Sequence, residues 1–170
     1  PGHHATRGQG MGFCLLNNIA LTAEMLIQTR AAKKLAIVDL DLHHGNGTQD
    51  IYWTRKDVLY ISTHQSPFYP GSGWLDEIGE GEGAGFTANF PLPPARLLDR
   101  LATWSDEHAQ GRLAIILEGG YDLEAGEVCT LAVMNAILGL KWGDPLGPAP
   151  YSERESWKGM VNRALEQWNL

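Results

Sequence analysis

Apolar residues in this chain fall into short, nearly continuous runs, a pattern typical of strands that are buried on both faces of a sheet. The clearest runs are LAIV from position 35 and LAIIL from position 113. Mixed segments separate the runs, so the pattern predicts an α/β fold with a mainly parallel central sheet. Strands are predicted over four segments: 35–41, 58–63, 86–90 and 112–117.

The segments between these strands favour helices, and the predicted helices cover 17–30, 49–53, 95–108 and 124–140. The glycine-rich residues 71–85 predict a surface loop. A turn-rich linker over 143–151 precedes a predicted C-terminal helix over 152–169, where Ser152 and Glu155 have capping-box spacing. Because 170 residues with 44% apolar content suit one core, we expect a single domain over 1–170.

The formal net charge of -7 disfavours nucleic-acid binding, which needs clustered Lys and Arg, and it would instead attract a cationic substrate. Cys14 and Cys129 form no CxxC pair, so we expect a reducing compartment: the cytoplasm, or the nucleus or cytoplasm in a eukaryote. No signal peptide or spanning segment is visible, so no membrane partner is expected, and an oligomer is left open. Because Pro1 lies inside a motif, we expect the chain to start part-way through a larger domain.

Residues 39–48, which read DLDLHHGNGT, carry the main chemical signal, together with the pair His3 and His4. In an extended strand, alternate side chains point to the same face, which places Asp39, Asp41 and His43 on one side. Carboxylate and imidazole groups that converge in this way indicate a metal-hydrolase centre. The remaining ligands and bases must come from elsewhere in the chain.

A catalytic zinc ion needs three protein ligands and one open position, and Asp41 and His43 supply two of the ligands. A bound zinc ion lowers the pKa of its water to roughly 7, and a neighbouring histidine must then accept and return the proton. His3 and His4 are the candidates for that base. Each imidazole needs an acceptor that fixes its tautomer.

Asp39 and Asn46 are the candidate acceptors for the two imidazoles. Because a charged partner raises imidazole basicity more than an amide does, the two histidines need not be equivalent. Tyr121 follows two glycines and could donate a hydrogen bond to a developing oxyanion.

The sequence resembles the histone deacetylase family, including its bacterial deacetylase-like and acetylpolyamine-hydrolysing members. The resemblance covers most of residues 1–123 and implies an arginase/deacetylase-type, three-layer α/β fold. The motifs that carry it are PGHHA at 1–5, GFC at 12–14, DLDLHHGNGT at 39–48, FYPGSG at 68–73, NFPLP at 89–93 and EGGY at 118–121.

This resemblance implies that His3 and His4 are the general acid/base pair and that Tyr121 polarises the acetyl carbonyl. It also implies that Asp41 and His43 bind zinc. Phe13 and Tyr69 would then flank a narrow tunnel for an acyl-lysine-like chain, with a backbone contact from Gly12. Gly120 is a further implied substrate-binding residue.

The resemblance further implies that Asp39 and Asn46 orient the two histidines, and Asn at position 46 is similar to the class II and bacterial branch. No role follows for His64 or for His108. A potassium ion is implied near the zinc ion, on oxygen atoms of Asp39, Asp41, His43, Ser62 and Thr63.

One element of the family pattern is missing, namely the Gly-Phe-Asp segment whose aspartate is the third zinc ligand. Only residues 95–111 separate Pro94 from the Arg112 strand, and a strand-helix-strand crossover needs about 30 residues. We therefore expect an incomplete fold and weakened zinc binding. Four other acidic residues are not expected to replace this zinc ligand: Asp99, Asp106, Glu107 and Asp144.

Three functions remain open from the sequence. The leading hypothesis is a zinc-dependent amidohydrolase that removes an acetyl group from acetyl-lysine or an acetylpolyamine. A family remnant with a binding or structural role is the alternative, since the third ligand is missing. A two-metal hydrolase of the arginase type is weaker, because only half of one acidic metal cluster is present.

Overall fold

The computed structural model describes residues 2–91, 109, 112–119, 123–140, 143, 159, 162–163 and 166. The chain divides into two compact units. The first consists of Pro1–Pro94 with Arg154–Leu170, and the second of Ala95–Glu153. The candidate site residues before position 92 all belong to the first unit. None of the helices among the described residues is long and apolar enough to cross a lipid bilayer.

The sheet of the first unit has three parallel strands in the order in which they follow along the chain. The strands are β1 (Leu35–Asp39), β2 (Val58–Thr63) and β3 (Thr87–Phe90). Strands β1 and β2 pair so that Asp39 lies opposite Ser62, and β2 and β3 pair so that Ser62 lies opposite Asn89. Since parallel strands end at the same edge, polar residues collect there.

Two helices lie along the chain before β2, α1 (Asn18–Gln28) and α2 (Asn46–Tyr52). Helix α1 begins where Asn17 caps it, because the Asn17 side chain accepts a hydrogen bond from the Ala20 N–H at 3.0 Å. Helix α2 connects β1 to β2, as the parallel pairing requires. It begins at Asn46, three residues before the start predicted from the sequence.

The core of the first unit lies between these helices and the sheet. The Tyr52 hydroxyl donates a hydrogen bond to the Ala20 carbonyl at 3.1 Å, which joins α2 to α1. Burial of this cluster fixes where the carboxyl end of β1 and the start of α2 lie, and both carry candidate site residues. The buried cluster consists of Ala20, Ala23, Ile37, Ile51, Tyr52, Val58 and Tyr60.

Residues 71–85 form a loop, as predicted, with one short 3-10 helix at Gly81–Gly83. The predicted strand over 35–41 ends at Asp39, because the Asp39 carboxylate accepts the Asp41 N–H at 3.1 Å and turns the chain. The predicted helix over 95–108 lies entirely outside the described residues. The linker over 143–151 and the helix over 152–169 are also outside them, apart from Gly143 and the helical residues Gly159, Asn162, Arg163 and Glu166.

In the second unit, helix α3 spans Leu123–Ile137, close to the predicted 124–140. The predicted strand over 112–117 is wrong, since residues 112–119 have no regular secondary structure. Leu113 and Leu117 are 45% and 77% exposed. An apolar run becomes a strand only when a neighbouring strand satisfies its N–H and C=O groups, and the described ladders involve only β1, β2 and β3.

Candidate metal and catalytic centre

The first of the two paired histidines is held by a carboxylate at the end of β1. His3 Nδ1 lies 2.9 Å from Asp39 Oδ2, and both side chains are buried. A carboxylate only accepts hydrogen bonds, so His3 Nδ1 carries a proton. His3 Nε2 lies 3.8 Å from Asp41 Oδ1. This arrangement turns the second ring nitrogen of His3 toward the Asp41 carboxylate.

Tyr60 is a site residue that the sequence interpretation missed. Its hydroxyl donates to Asp39 Oδ2 at 3.0 Å and also lies 3.1 Å from the Gly45 carbonyl. Burial raises the pKa of Tyr60 well above its ordinary value, and the nearby Asp39 carboxylate raises it further. Tyr60 therefore stays a hydrogen-bond donor. A sequence signal existed: a tyrosine buried in a strand needs a partner for its hydroxyl, and Tyr60 is two residues from Ser62 on the same strand face.

The second paired histidine is held by an amide at the start of α2. His4 Nδ1 lies 2.8 Å from Asn46 Oδ1, while Asn46 Nδ2 donates to the Met11 sulfur at 3.3 Å. Burial lowers the pKa of His4, and the hydrogen bond to Asn46 raises it less. His4 is therefore neutral near pH 7 and able to accept a proton at Nε2.

The segment after β1 brings Asp41 and His43 together by two consecutive turns. The Asp41 N–H donates to Asp39 Oδ1 at 3.1 Å, and the His43 N–H donates to Asp41 Oδ1 at 2.8 Å. The expectation that a strand places these side chains on one face is wrong, because the strand has already ended at Asp39. Side-chain-to-backbone turns of this kind are characteristic of aspartate.

The spacing of Asp41 and His43 fits two ligands of one zinc ion. Asp41 Oδ1 and His43 Nδ1 are 3.3 Å apart. Zinc ligands at about 2.0–2.2 Å in tetrahedral geometry are about 3.3–3.6 Å from each other. Within the described ranges, no group of three or more His, Cys, Asp or Glu side chains is arranged to hold a metal ion. The donors present therefore fit two positions of a zinc site and leave the third protein ligand unassigned.

The oxygen atoms proposed for potassium fit that ion only in part. Ser62 is fully buried, and its hydroxyl is 2.9 Å from His64 Nδ1. The buried Thr63 hydroxyl has no hydrogen-bond partner among the described residues. Asp39 already accepts from the His3 ring and from Tyr60. The potassium site stays a prediction.

Two aromatic residues, Phe68 and Tyr69, lie at the open side of the histidine group. The Phe68 ring stacks on His43 at 5.0 Å between centroids, and the Tyr69 ring meets His4 edge-on at 5.0 Å. Phe68 was not among the predicted site residues, although it is next to Tyr69 in the sequence. Phe13, which was predicted to flank the tunnel, is 89% exposed and has no ring contact among the described residues.

Gly12 lies against the His4 ring. Its φ angle is +57°, a conformation that favours glycine, and a Cβ at this position would overlap with the His4 ring atoms. The close approach therefore requires glycine. The predicted substrate contact of Gly12 stays a prediction.

Several predicted site residues fall outside the described residues. Gly120 and Tyr121 are among them, so the oxyanion donor and the far wall of the tunnel stay predictions. The acids considered as replacement zinc ligands are also outside: Asp99, Asp106, Glu107 and Asp144.

Behind this group lies a second pair of buried histidines, which the sequence interpretation left without a role. The rings of His44 and His64 are 4.8 Å apart between centroids, and each residue is 1% exposed. Burial lowers the pKa of His44 to about 4, with a further contribution from His64, and burial lowers the pKa of His64. Both rings are neutral at physiological pH.

The family model for the histone deacetylase domain matches residues 1–97 of this chain. The chain belongs to the histone deacetylase family. The family resemblance stated from the motifs is thereby confirmed. In four similar curated proteins, the matched region covers between 22% and 58% of the relative's length. This chain therefore spans only part of each of these relatives.

Histone deacetylase 15 of Arabidopsis thaliana is 41% identical over 225 aligned residues, which include 99% of this chain and 40% of that protein. Because the aligned region is longer than the 170 residues of this chain, the relative carries residues that this family member lacks. That finding agrees with the expectation of an incomplete fold.

Two solved structures are similar to this family member. The crystal structure of the HDA15 HD domain matches with a TM-score of 0.81 and 31% identity, covering 99% of this chain and 60% of that one. The acetylpolyamine aminohydrolase of Burkholderia pseudomallei matches with a TM-score of 0.52 and 47% identity, covering 55% of this chain and 28% of that one. The predicted arginase/deacetylase-type α/β fold is confirmed.

Proposed function

We propose that this chain is a zinc-dependent deacetylase-type amidohydrolase that removes an acetyl group from an acetylated amine. The observation that carries the proposal is the convergence of His3, His4, Asp41 and His43. His3 Nε2 and His43 Nδ1 lie 3.8 Å and 3.3 Å from the same carboxylate oxygen of Asp41. The rings of His3 and His4 are 4.1 Å apart between centroids.

Zinc held by Asp41 and His43 would polarise the acetyl carbonyl and make a water molecule more acidic. His4, neutral and bonded to Asn46 through Nδ1, accepts a proton at Nε2. His3 holds a proton at Nδ1 against Asp39. The Asp39 carboxylate would stabilise the His3 imidazolium that forms when this ring takes up a second proton. The water oxygen bonds to the acetyl carbon, the C–N bond then breaks, and a proton from these histidines passes to the leaving amine as acetate is released. Tyr121 is the proposed donor to the carbonyl oxygen.

The substrate class follows from the groups at the open side. Phe68 and Tyr69 offer apolar ring surface beside His43 and His4, which suits an aliphatic chain that ends in an acetylated amine. Acetyl-lysine and acetylpolyamines both have such a chain. The net charge of -7 favours a substrate with further positive charge.

Zinc titration and turnover of the 170-residue chain test this proposal. We expect one zinc ion per chain, and cleavage of an acetyl-lysine peptide, of an N-acetylated diamine, or of both. The variant His43→Ala should lose both zinc and turnover. Glu82→Gln is the control, because Glu82 is an exposed residue that pairs with Lys56. A folded chain that binds zinc and cleaves neither substrate would overturn the proposal.

A catalytically impaired family member with a binding role is the second candidate. The observation in its favour is that the described residues supply only two zinc donors. It predicts a folded chain that binds an acetylated peptide without cleaving it. Turnover that depends on stoichiometric zinc would eliminate this candidate.

A further inference from the structure

The loop between β2 and β3 carries the two aromatic rings that cover the histidine group. Phe68 and Tyr69 pack on His43 and His4, yet each aromatic residue is 45% exposed. Rings that are half in solvent receive limited support from their outer side. Their position therefore depends on how the base of the loop is attached to the rest of the first unit.

The loop base, by which we mean Ser72 and Gly73, is attached through hydrogen bonds to both residues. The Ser72 hydroxyl lies 2.8 Å from His44 Nδ1, and the Gly73 carbonyl accepts from His64 Nε2 at 3.0 Å. The Gly73 N–H donates to Glu77 Oε2 at 3.0 Å. Two consecutive loop residues are thus fixed by three side chains: His44 from the segment after β1, His64 from the start of the loop, and Glu77 from further along the loop.

Gly73 fits between the two buried imidazoles, and only glycine can do so. Its φ angle is +87°, and an added methyl group would lie 2.5 Å from His64 Cε1 and 2.6 Å from His44 Cγ. Such contacts are far inside van der Waals separation. The loop base is therefore packed as closely as a core segment.

A directional chain of hydrogen bonds runs from Glu77 to Ser72. The Glu77 carboxylate only accepts, so Gln49 must turn its Nε2 toward it, and these two atoms are 2.6 Å apart. That orientation points Gln49 Oε1 at His44 Nε2, 3.0 Å away. His44 must then donate from Nε2, and its Nδ1 can only accept from the Ser72 hydroxyl.

The same orientation of Gln49 is supported from a second direction. Asn89 Nδ2, on β3, donates to Gln49 Oε1 at 2.7 Å and to the Glu77 carbonyl at 3.2 Å. Gln49 therefore connects the helix α2, the strand β3 and the loop base. The hydrogen bonds that link Glu77, Gln49, His44 and Ser72 each have one donor and one acceptor, a condition that favours one rigid arrangement.

We propose that Gln49 and Glu77 are positioning residues, which act through His44 and the loop base to hold Phe68 and Tyr69 against His43 and His4. The catalytic consequence rests on the proposed function. Neither residue touches the reacting group. Their contribution is to keep the two rings in place as the walls of the substrate chain's binding site.

The variant Gln49→Leu tests the proposal, because it keeps the side-chain volume roughly constant and removes the central amide. We expect amide hydrogen exchange in residues 66–73 to rise about tenfold while exchange in β1 and β2 stays unchanged. We also expect KM for an acetyl-lysine peptide to rise about fivefold, because displaced rings lose contact with the substrate chain. A lower folded fraction alone would reduce the apparent kcat and leave KM unchanged.

Glu77 provides a conservative rescue and a matched control. Glu77→Gln keeps an oxygen that accepts from the Gly73 N–H, so it should retain slower loop exchange than Glu77→Ala. Glu82→Gln makes the same chemical change at an exposed position on the same segment, and it should change neither loop exchange nor KM. Ser72→Ala is the milder variant if Gln49→Leu does not fold, and it should raise loop exchange in the same direction.

The two arms of the experiment separate this inference from the proposed function. A wild-type chain without turnover overturns the proposed function, and the exchange measurement then decides by itself whether the loop is anchored as described. Uniform acceleration of exchange in the strands and the loop would overturn the inference, as would unchanged exchange in residues 66–73. Faster loop exchange in an active chain with an unchanged KM would overturn the positioning role.

Discussion

Two groups of histidines lie next to each other in the first unit, and they use their ring nitrogens differently. The outer group contains His3, His4 and His43, and the inner pair contains His44 and His64. Both nitrogens of His44 and of His64 are engaged in hydrogen bonds with hydroxyl, amide or carbonyl groups. The Nδ1 atom of His4 is bonded to Asn46, and its Nε2 has no hydrogen-bond partner among the described residues.

The two groups differ in the hydrogen-bond partners of their rings and not in protonation state. Burial lowers the pKa of His4, His44 and His64 alike, so all three are neutral near pH 7. An imidazole with two satisfied nitrogens has no lone pair available for proton transfer. The neighbours His43 and His44 fall into different groups because the chain turns between β1 and α2.

The largest effect is expected from removing His43, the imidazole of the outer group that we propose as a zinc ligand. His43→Ala should reduce turnover below detection and weaken zinc binding at least about a hundredfold, since one of the two available donors is lost. Zinc affinity is measured by competition with a chromophoric chelator, and turnover with the acetyl-lysine peptide. Zinc affinity that stays within threefold of wild type would show that His43 is not a ligand.

Removal of the proposed base should affect turnover without affecting metal binding. His4→Ala is expected to lower kcat by about 10²- to 10⁴-fold, the usual contribution of a positioned general base, while the zinc affinity stays the same. Steady-state kinetics and the same chelator competition provide the two measurements. A kcat within threefold of wild type would remove His4 from the proposed mechanism.

Zinc itself should stabilise the fold through the outer group only. At a free zinc concentration a hundredfold above Kd, the free energy of unfolding should rise by about 2.7 kcal/mol, because the ion binds the folded chain. Denaturant titration with and without zinc gives this difference. Asp41→Asn should abolish the increase, and equal stabilisation of wild type and variant would contradict the assignment of the ligands.

The inner pair should contribute to stability and leave zinc affinity unchanged. His64→Leu is expected to lower the free energy of unfolding by about 1–3 kcal/mol, since the buried Ser62 hydroxyl and the Gly73 carbonyl lose their partner. Denaturant unfolding measures this change. Lys56→Ala, at an exposed ion pair, should stay within about 0.5 kcal/mol of wild type. A tenfold loss of zinc affinity in His64→Leu would abolish the distinction between the two groups.

Much of the secondary structure could be predicted from local sequence. The strand at 58–63 matches the prediction, and α1 and α3 lie within the predicted helical segments to within a few residues. The pairings of His3 with Asp39 and of His4 with Asn46 were also proposed from the motif, and the distances agree with them. Their catalytic roles stay predictions.

Other features depend on contacts that are distant in sequence. The apolar run at 112–117 has the same composition as a buried strand, but its exposed residues and lack of regular structure show that composition cannot supply a pairing partner. Tyr60 and Phe68 reach the site through the register of β2 and the course of the loop after it. Spacing along the chain does not reveal the partners that these two residues meet at the site.

By itself, the sequence determined which chemical groups are available: two adjacent histidines, an Asp-x-Asp-x-His-His run and the amide that follows it. It also determined the strands and helices whose apolar patterns are local. Only the tertiary structure decided which ring nitrogens keep a lone pair outside any hydrogen bond, because that depends on the partners that approach each ring from residues up to 42 positions away. Hydrogen bonds are directional, so a carboxylate at Glu77 can set the proton position on His44 through Gln49, an outcome that only the folded arrangement fixes.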